Sequence, residues 1–174
     1  MREVPISQAI ASQRPEWIVL VVTQRADGFV DVMPAGWVMR VSGTPPMFAV
    51  SVGHGRYTNE LVRGAGEFVL AFPAEGMGEA VCYCGSHSGR DVGKVAACGL
   101  TLLPARTIKT PLLGGAFINL ECRLTTITEA GDHSIFVGEV LAAHVEDARG
   151  PLVNFGAFGY GLAQPVPGTL YKPS

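Results

Sequence analysis

The segment Gly53-His-Gly-Arg-Tyr-Thr58, followed by Asn-Glu-Leu61, places a guanidinium and a hydroxyl where a helix begins. The first N–H groups of a helix have no intrahelical partner and carry the positive end of its dipole. A glycine-flanked loop leading into such a start suits a phosphate group, with Arg56 supplying charge-assisted hydrogen bonds and Thr58 a hydroxyl. Trp37, one strand earlier, offers a ring face on which the group bearing the phosphate can stack. Together these residues point to a small barrel that holds a phosphorylated aromatic cofactor. The same residues also read as an ordinary helix capped by Thr58, with Arg56 in solvent and Trp37 in the core. A dinucleotide fingerprint is absent, because the third glycine and the surrounding βαβ unit are missing.

Other candidate groups are more sparsely placed. Lys94 lies in Ser88-Gly-Arg-Asp-Val-Gly-Lys94, on a short amphipathic stretch that by itself reads as a solvated face. In a cofactor site the same lysine would stand as a cation beside developing negative charge. His133 follows Gly131-Asp132 in a hairpin turn, where an exposed ring is the plain reading. No histidine spacing suggests a metal. Cys82, Cys84, Cys98 and Cys122 form no C-x-x-C pair and read as structural thiols. There is no G-x-S-x-G and no evident carboxylate pair. An enzyme without its own nucleophile or acid–base pair leaves the chemistry to a cofactor.

The elements that must position these groups are mostly strands. Residues 17–23 form a short, continuous, β-branched run, the pattern of a buried strand. Further strands are predicted over 29–33, 37–42, 47–52 and 68–72, and two long ones over 117–128 and 134–145, joined by the turn at 129–133. In the first long strand Leu120, Cys122 and Leu124 alternate with Glu121, Arg123 and Thr125, which predicts one buried and one wet face. Short helices are predicted at 59–64, with Thr58 as N-cap, at 78–84 and at 91–98. From Pro151 the chain reads as a loop with Tyr160 as its anchor. The fold class is therefore mainly β, a Greek-key-like barrel with a few short helices. One domain spans residues 1–174, with its core over about 15–162.

The 174 residues are 48% hydrophobic and 16% charged, with net charge −2; the mean hydropathy is +0.29. So apolar a chain suggests that a partner, most simply a second copy, covers part of its surface. No basic excess exists to neutralise a nucleic-acid backbone. The amino terminus shows no leader pattern, and no apolar run reaches a membrane span, so a cytoplasmic protein with reduced thiols is expected.

In chain order the sequence contains Met33-Pro-Ala-Gly-Trp-Val38, Pro45-Pro46, Ser51-Val-Gly-His-Gly-Arg-Tyr-Thr-Asn-Glu-Leu61 and Gly66-Glu-Phe-Val69. There follow Cys84-Gly-Ser-His-Ser-Gly-Arg-Asp-Val92 with Lys94, then Asn119-Leu-Glu-Cys122 and Gly131-Asp-His-Ser-Ile-Phe-Val-Gly-Glu-Val140. This ordered set resembles the flavin reductase-like family with its FMN-binding split barrel. The resemblance implies an FMN site built from Asp31, Met33, Pro34, Ala35, Gly36 and Trp37, walled by Ser51 and Val52. It implies that Arg56 and Thr58 hold the phosphate, that Lys94 and His133 bond to the flavin, and that Tyr160 closes the site. It also reverses the plain local readings of Trp37, Thr58, Lys94 and His133. Asp31 stands where asparagine is common in the family. An ionised aspartate accepts hydrogen bonds but cannot donate them, and unless it points away it repels the phosphate or the anionic reduced ring.

The resemblance further implies a homodimeric FMN oxidoreductase that moves electrons from NADH or NADPH to flavin. A monooxygenase or another redox protein would be its partner. Two alternatives stay open at this point: a flavoredoxin-like FMN carrier that serves a protein partner, and a flavin-free barrel for another small ligand.

Overall fold

The computed structural model describes residues 1–147, 150–157 and 159–162. In chain order it contains α1 (Ile6–Ala11), β1 (Glu16–Trp17), β2 (Val19–Gln24), β3 (Val30–Ala35), β4 (Val38–Gly43), β5 (Pro46–Gly53), α2 (Tyr57–Ala65) and β6 (Glu67–Pro73). These are followed by α3 (Gly78–Ser86), α4 (Lys94–Ala97), β7 (Leu102–Leu103), β8 (Leu112–Leu113), β9 (Ala116–Ala130), β10 (His133–Val145), β11 (Leu152–Gly156) and β12 (Gly159–Leu162). The main sheet has seven strands in the order β3-β2-β6-β9-β10-β5-β4. Every neighbouring pair in it is antiparallel. Among the described residues no helix is long and apolar enough to cross a membrane.

The continuous apolar run of β2 has a simple cause. Successive residues of a strand face opposite sides of the sheet, and both sides of β2 are covered. Val19 and Val21 join one core with Phe68, Leu70, Cys122 and Phe136. Leu20 and Val22 join the other with Val32, Val69, Val81 and Leu113. The second core lies under α3 and the β7–β8 hairpin, and the first fills the inside of the curled sheet.

Gly138, at a register shift between β9 and β10, is where that inner core is tightest. A Cβ there would stand 2.7 Å from Phe68 Cζ and 3.0 Å from Cys122 Cβ. Overpacking a closed core costs typically 1–3 kcal/mol. Gly138→Ala is expected to lower stability by about 2 kcal/mol, read as a lower urea midpoint at unchanged slope. A wild-type midpoint would show that Phe68 has room to move.

Several expectations are corrected. Over residues 152–156 and 159–162 the chain is not a loop: β11 pairs with β12, and β1 pairs with β11 through Glu16–Asn154 and Trp17–Val153; the expected loop beyond residue 162 lies outside the described residues. Trp17 belongs to this small separate sheet, is 53% exposed, and meets Phe72 edge-on at 6.1 Å; it is not part of the buried run. Glu121 is not on a wet face but fully buried. Its carboxylate accepts hydrogen bonds from the backbone N–H groups of Arg106 (2.8 Å) and Thr107 (2.7 Å). The predicted helix over 91–98 is a single turn, α4, while α3 runs on to Ser86. Thr58 is not the N-cap of α2; Arg56 is, and Thr58 lies buried within the first turn.

Candidate functional site

The β3–β4 corner, the end of β5, the start of α2 and the segment linking α3 to α4 enclose a cavity of about 520 Å³. Ligand pockets run from roughly 300 to 1,000 Å³. β3 contributes Asp31, Met33, Pro34 and Ala35, and Gly36 and Trp37 follow at its corner. β5 contributes Ser51 and Val52, the start of α2 Arg56 and Thr58, α4 Lys94, and the first residue of β10 His133. Of the expected site residues only Tyr160 lies elsewhere. It sits on β12 and lines a shallower hollow with Glu79, Cys82 and Tyr83, which adjoins the cavity at Ser86.

The position of α2 is set by Asn59. This buried amide donates to Val52 O at 3.0 Å and to Ser134 Oγ at 3.1 Å, tying the helix to β5 and β10. The helix starts without any side-chain cap, so its first N–H groups stand uncapped at the cavity's edge. Arg56 is exposed, and its guanidinium has no ion-pair or hydrogen-bond partner among the described residues. An unpaired cation at an uncapped helix start fits a phosphate.

Arg90 braces this end of the cavity. It donates to Gly55 O at 3.2 Å, pairs with Glu60 at 3.1 Å and lies over the Tyr57 ring at 4.8 Å. At the other end Trp37, 53% exposed, tilts against the His133 ring at a centroid distance of 4.7 Å. His133 Nδ1 is 2.6 Å from Asp132 Oδ1, and this contact holds the Asp132 carboxyl below its usual range. A half-exposed indole beside an imidazole fits one face of a planar ring.

The deep wall differs from what a free cation would provide. Lys94 is 3% exposed and its Nζ lies 3.0 Å from Asp31 Oδ1, itself on a side chain 1% exposed. Thr58 Oγ1 donates to Asp31 Oδ2 at 3.2 Å. Thus Asp31 faces Lys94 and Thr58 rather than open space, and the repulsion expected from an unpaired carboxylate does not arise.

One whole wall escaped the sequence reading of the site: Cys84, Ser86, His87, Ser88, Gly89 and Asp91 all line the cavity. The signal was the cluster of small residues Gly85, Ser86, Ser88 and Gly89 around His87. At Gly89 a Cβ would stand 2.2 Å from Asp31 Oδ1, so only glycine lets this wall close over the carboxylate. Burial, with Cys98 beside it, raises the Cys84 thiol well above its ordinary pKa, which makes it an inert wall group. Among the described residues no cluster of metal-ligating side chains occurs.

The model of the flavin reductase like domain matches residues 12–160. The chain belongs to the flavin reductase-like family. This flavin reductase-like chain is 30% identical over 127 residues to the NADH-dependent FAD reductase of Streptomyces globisporus, covering 72% of this chain and 69% of that one. An FMN-binding protein from Thermus thermophilus with bound p-hydroxybenzaldehyde has the same fold. Its TM-score is 0.85 at 30% identity, over 99% of this chain and 100% of that one. The flavoredoxin from Methanosarcina acetivorans matches at TM-score 0.85 and 28% identity, over 99% of this chain and 97% of that one. The expected split β-barrel of this family is therefore the fold of the chain.

Proposed function

We propose that the cavity holds FMN and that the protein moves electrons from NADH or NADPH to that flavin. The observation that carries this reading is the pairing, in one cavity, of an unpaired Arg56 at an uncapped helix start with a half-exposed Trp37. Arg56 and the first turn of α2 would hold the phosphate, and Trp37 and His133 would flank the ring. FMN supplies the hydride-accepting chemistry when bound. The chain's own residues orient it, exclude water along the 84–91 wall, and set the charge around it. Likeness to an NADH-dependent FAD reductase supports a nicotinamide donor.

The test is absorbance of the protein desalted after mixing with FMN, followed by NADH and NADPH consumption with and without free FMN. Retained flavin bands and consumption stimulated by free flavin are expected. Retained flavin without such turnover would instead favour an FMN carrier serving a redox partner, the reading supported by likeness to flavoredoxin. A colourless protein with no flavin-dependent turnover would overturn both.

Arg56→Ala gives a sharper check. Hydrogen bonds to charged groups contribute about 1.5–3 kcal/mol, so FMN should bind about tenfold to a hundredfold more weakly. Riboflavin, which lacks the phosphate, should bind as it does to the unaltered protein. Equal losses for both ligands would remove Arg56 from a phosphate role.

A further inference from the structure

The cavity's deep wall carries a buried charge pair, Asp31 and Lys94. Asp31 is 1% exposed, and its Oδ1 lies 3.0 Å from Lys94 Nζ. That contact is an ion pair, and Oδ1 has no aligned hydrogen-bond donor. Lys94 Nζ donates instead to Val32 O at 2.9 Å, while Oδ2 accepts from Thr58. Gly89 closes over Oδ1 so tightly that any side chain there would collide with it. Lys94 and Asp31 both line the cavity, so its ligand meets the pair as a unit.

A single buried ammonium in this position would attract negative charge strongly, because charges away from water are poorly screened. The carboxylate beside it cancels that monopole and leaves a short dipole, whose field falls off faster. We propose that Asp31, acting through Lys94, makes this wall electrically neutral, so that the cavity gives no preference to the anionic reduced ring of FMN over the uncharged oxidised ring. Asp31 is thus a positioning residue that sets a low reduction potential for the bound flavin. This inference rests on the FMN reading above.

In mildly alkaline buffer, two electrons and one proton convert the oxidised ring to its reduced anion. A dye-mediated dithionite titration of the FMN-loaded protein reads that couple directly. Asp31→Asn keeps the shape and an acceptor oxygen but leaves Lys94 as a net cation. Reduced FMN should then bind at least about tenfold more tightly relative to oxidised FMN, a rise of about 30 mV for a two-electron couple. The double variant Asp31→Asn/Lys94→Gln removes both charges, and its potential should equal that of the unaltered protein, whether or not the single variant folds. A merely structural Asp31 would change stability without this pattern. An unmoved potential in Asp31→Asn overturns the inference, as does a double variant displaced by about 30 mV or more. Protein that binds no FMN at all overturns the cofactor reading and the inference together; bound FMN with the wrong pattern overturns the inference alone.

Discussion

Lys94→Met is expected to lower stability by about 3–5 kcal/mol, the cost of breaking a buried ion pair by removing one partner. The cause is the carboxylate left behind. Asp31 sits under Gly89 with its Oδ1 lacking a hydrogen-bond donor, and Thr58 supplies only one bond, to Oδ2. Without Lys94, 3.0 Å away, nothing near it compensates the loss of water. Flavin affinity should fall as well, since an unbalanced negative charge then lies behind the wall. Urea unfolding and FMN titration measure the two effects. Adding Asp31→Asn to Lys94→Met should recover most of the lost stability, because it removes the stranded charge. A single variant within about 1 kcal/mol of the unaltered protein would show that the pair contributes little. A double variant no more stable than the single would show that lost packing, not charge, was the cause.

Glu121→Gln is the second large expectation, and it is a statement about pH. Glu121 is fully buried. Burial alone would raise its pKa, but hydrogen bonds from Thr107, the Arg106 N–H and His144 outweigh burial and hold the carboxyl at about 2, against an ordinary 4.5. The folded-state pKa is depressed, so the stabilisation is complete above the ordinary value and disappears as pH falls from about 4.5 to about 2. Converted at 1.36 kcal/mol per pKa unit, the shift corresponds to roughly 3 kcal/mol at neutral pH. Glutamine keeps the volume and one acceptor oxygen, but it turns an NH₂ group toward donors that need an acceptor. The variant should be less stable than the unaltered protein by about that amount at pH ~7 and equal to it near pH ~2. A stability difference that stays constant with pH would show that Glu121 acts through shape rather than charge. Because Glu121 anchors the 104–110 loop and not the cavity, flavin affinity at neutral pH should not change.

The two sites show how differently local and distant information is encoded. The strands over β2, β5, β6, β9 and β10 were legible because burial on one or both faces imposes a pattern on consecutive residues. The start of α2 and Arg56 were legible for the same reason: a glycine-flanked loop entering a helix is a local event. Residue types in order along the chain also carried the family, and through it the expected cavity residues from Asp31 to His133. Tertiary structure alone decided which charges meet. Asp31 and Lys94 are far apart in sequence, and Lys94 reads locally as a solvated side chain. Only the packing of α4 against β3 puts them 3.0 Å apart and out of water. Glu121 alternates with apolar residues as a solvent-facing glutamate does, and only the 104–110 loop folding over it supplies the N–H donors that bury it. The short strands β11 and β12 pair with each other, and the third strand of their sheet, β1, which pairs with β11, lies at the opposite end of the chain, so no local pattern separated them from a loop. Patterns between neighbours in sequence determine elements, whereas the charge state of a site depends on what the fold brings together from afar.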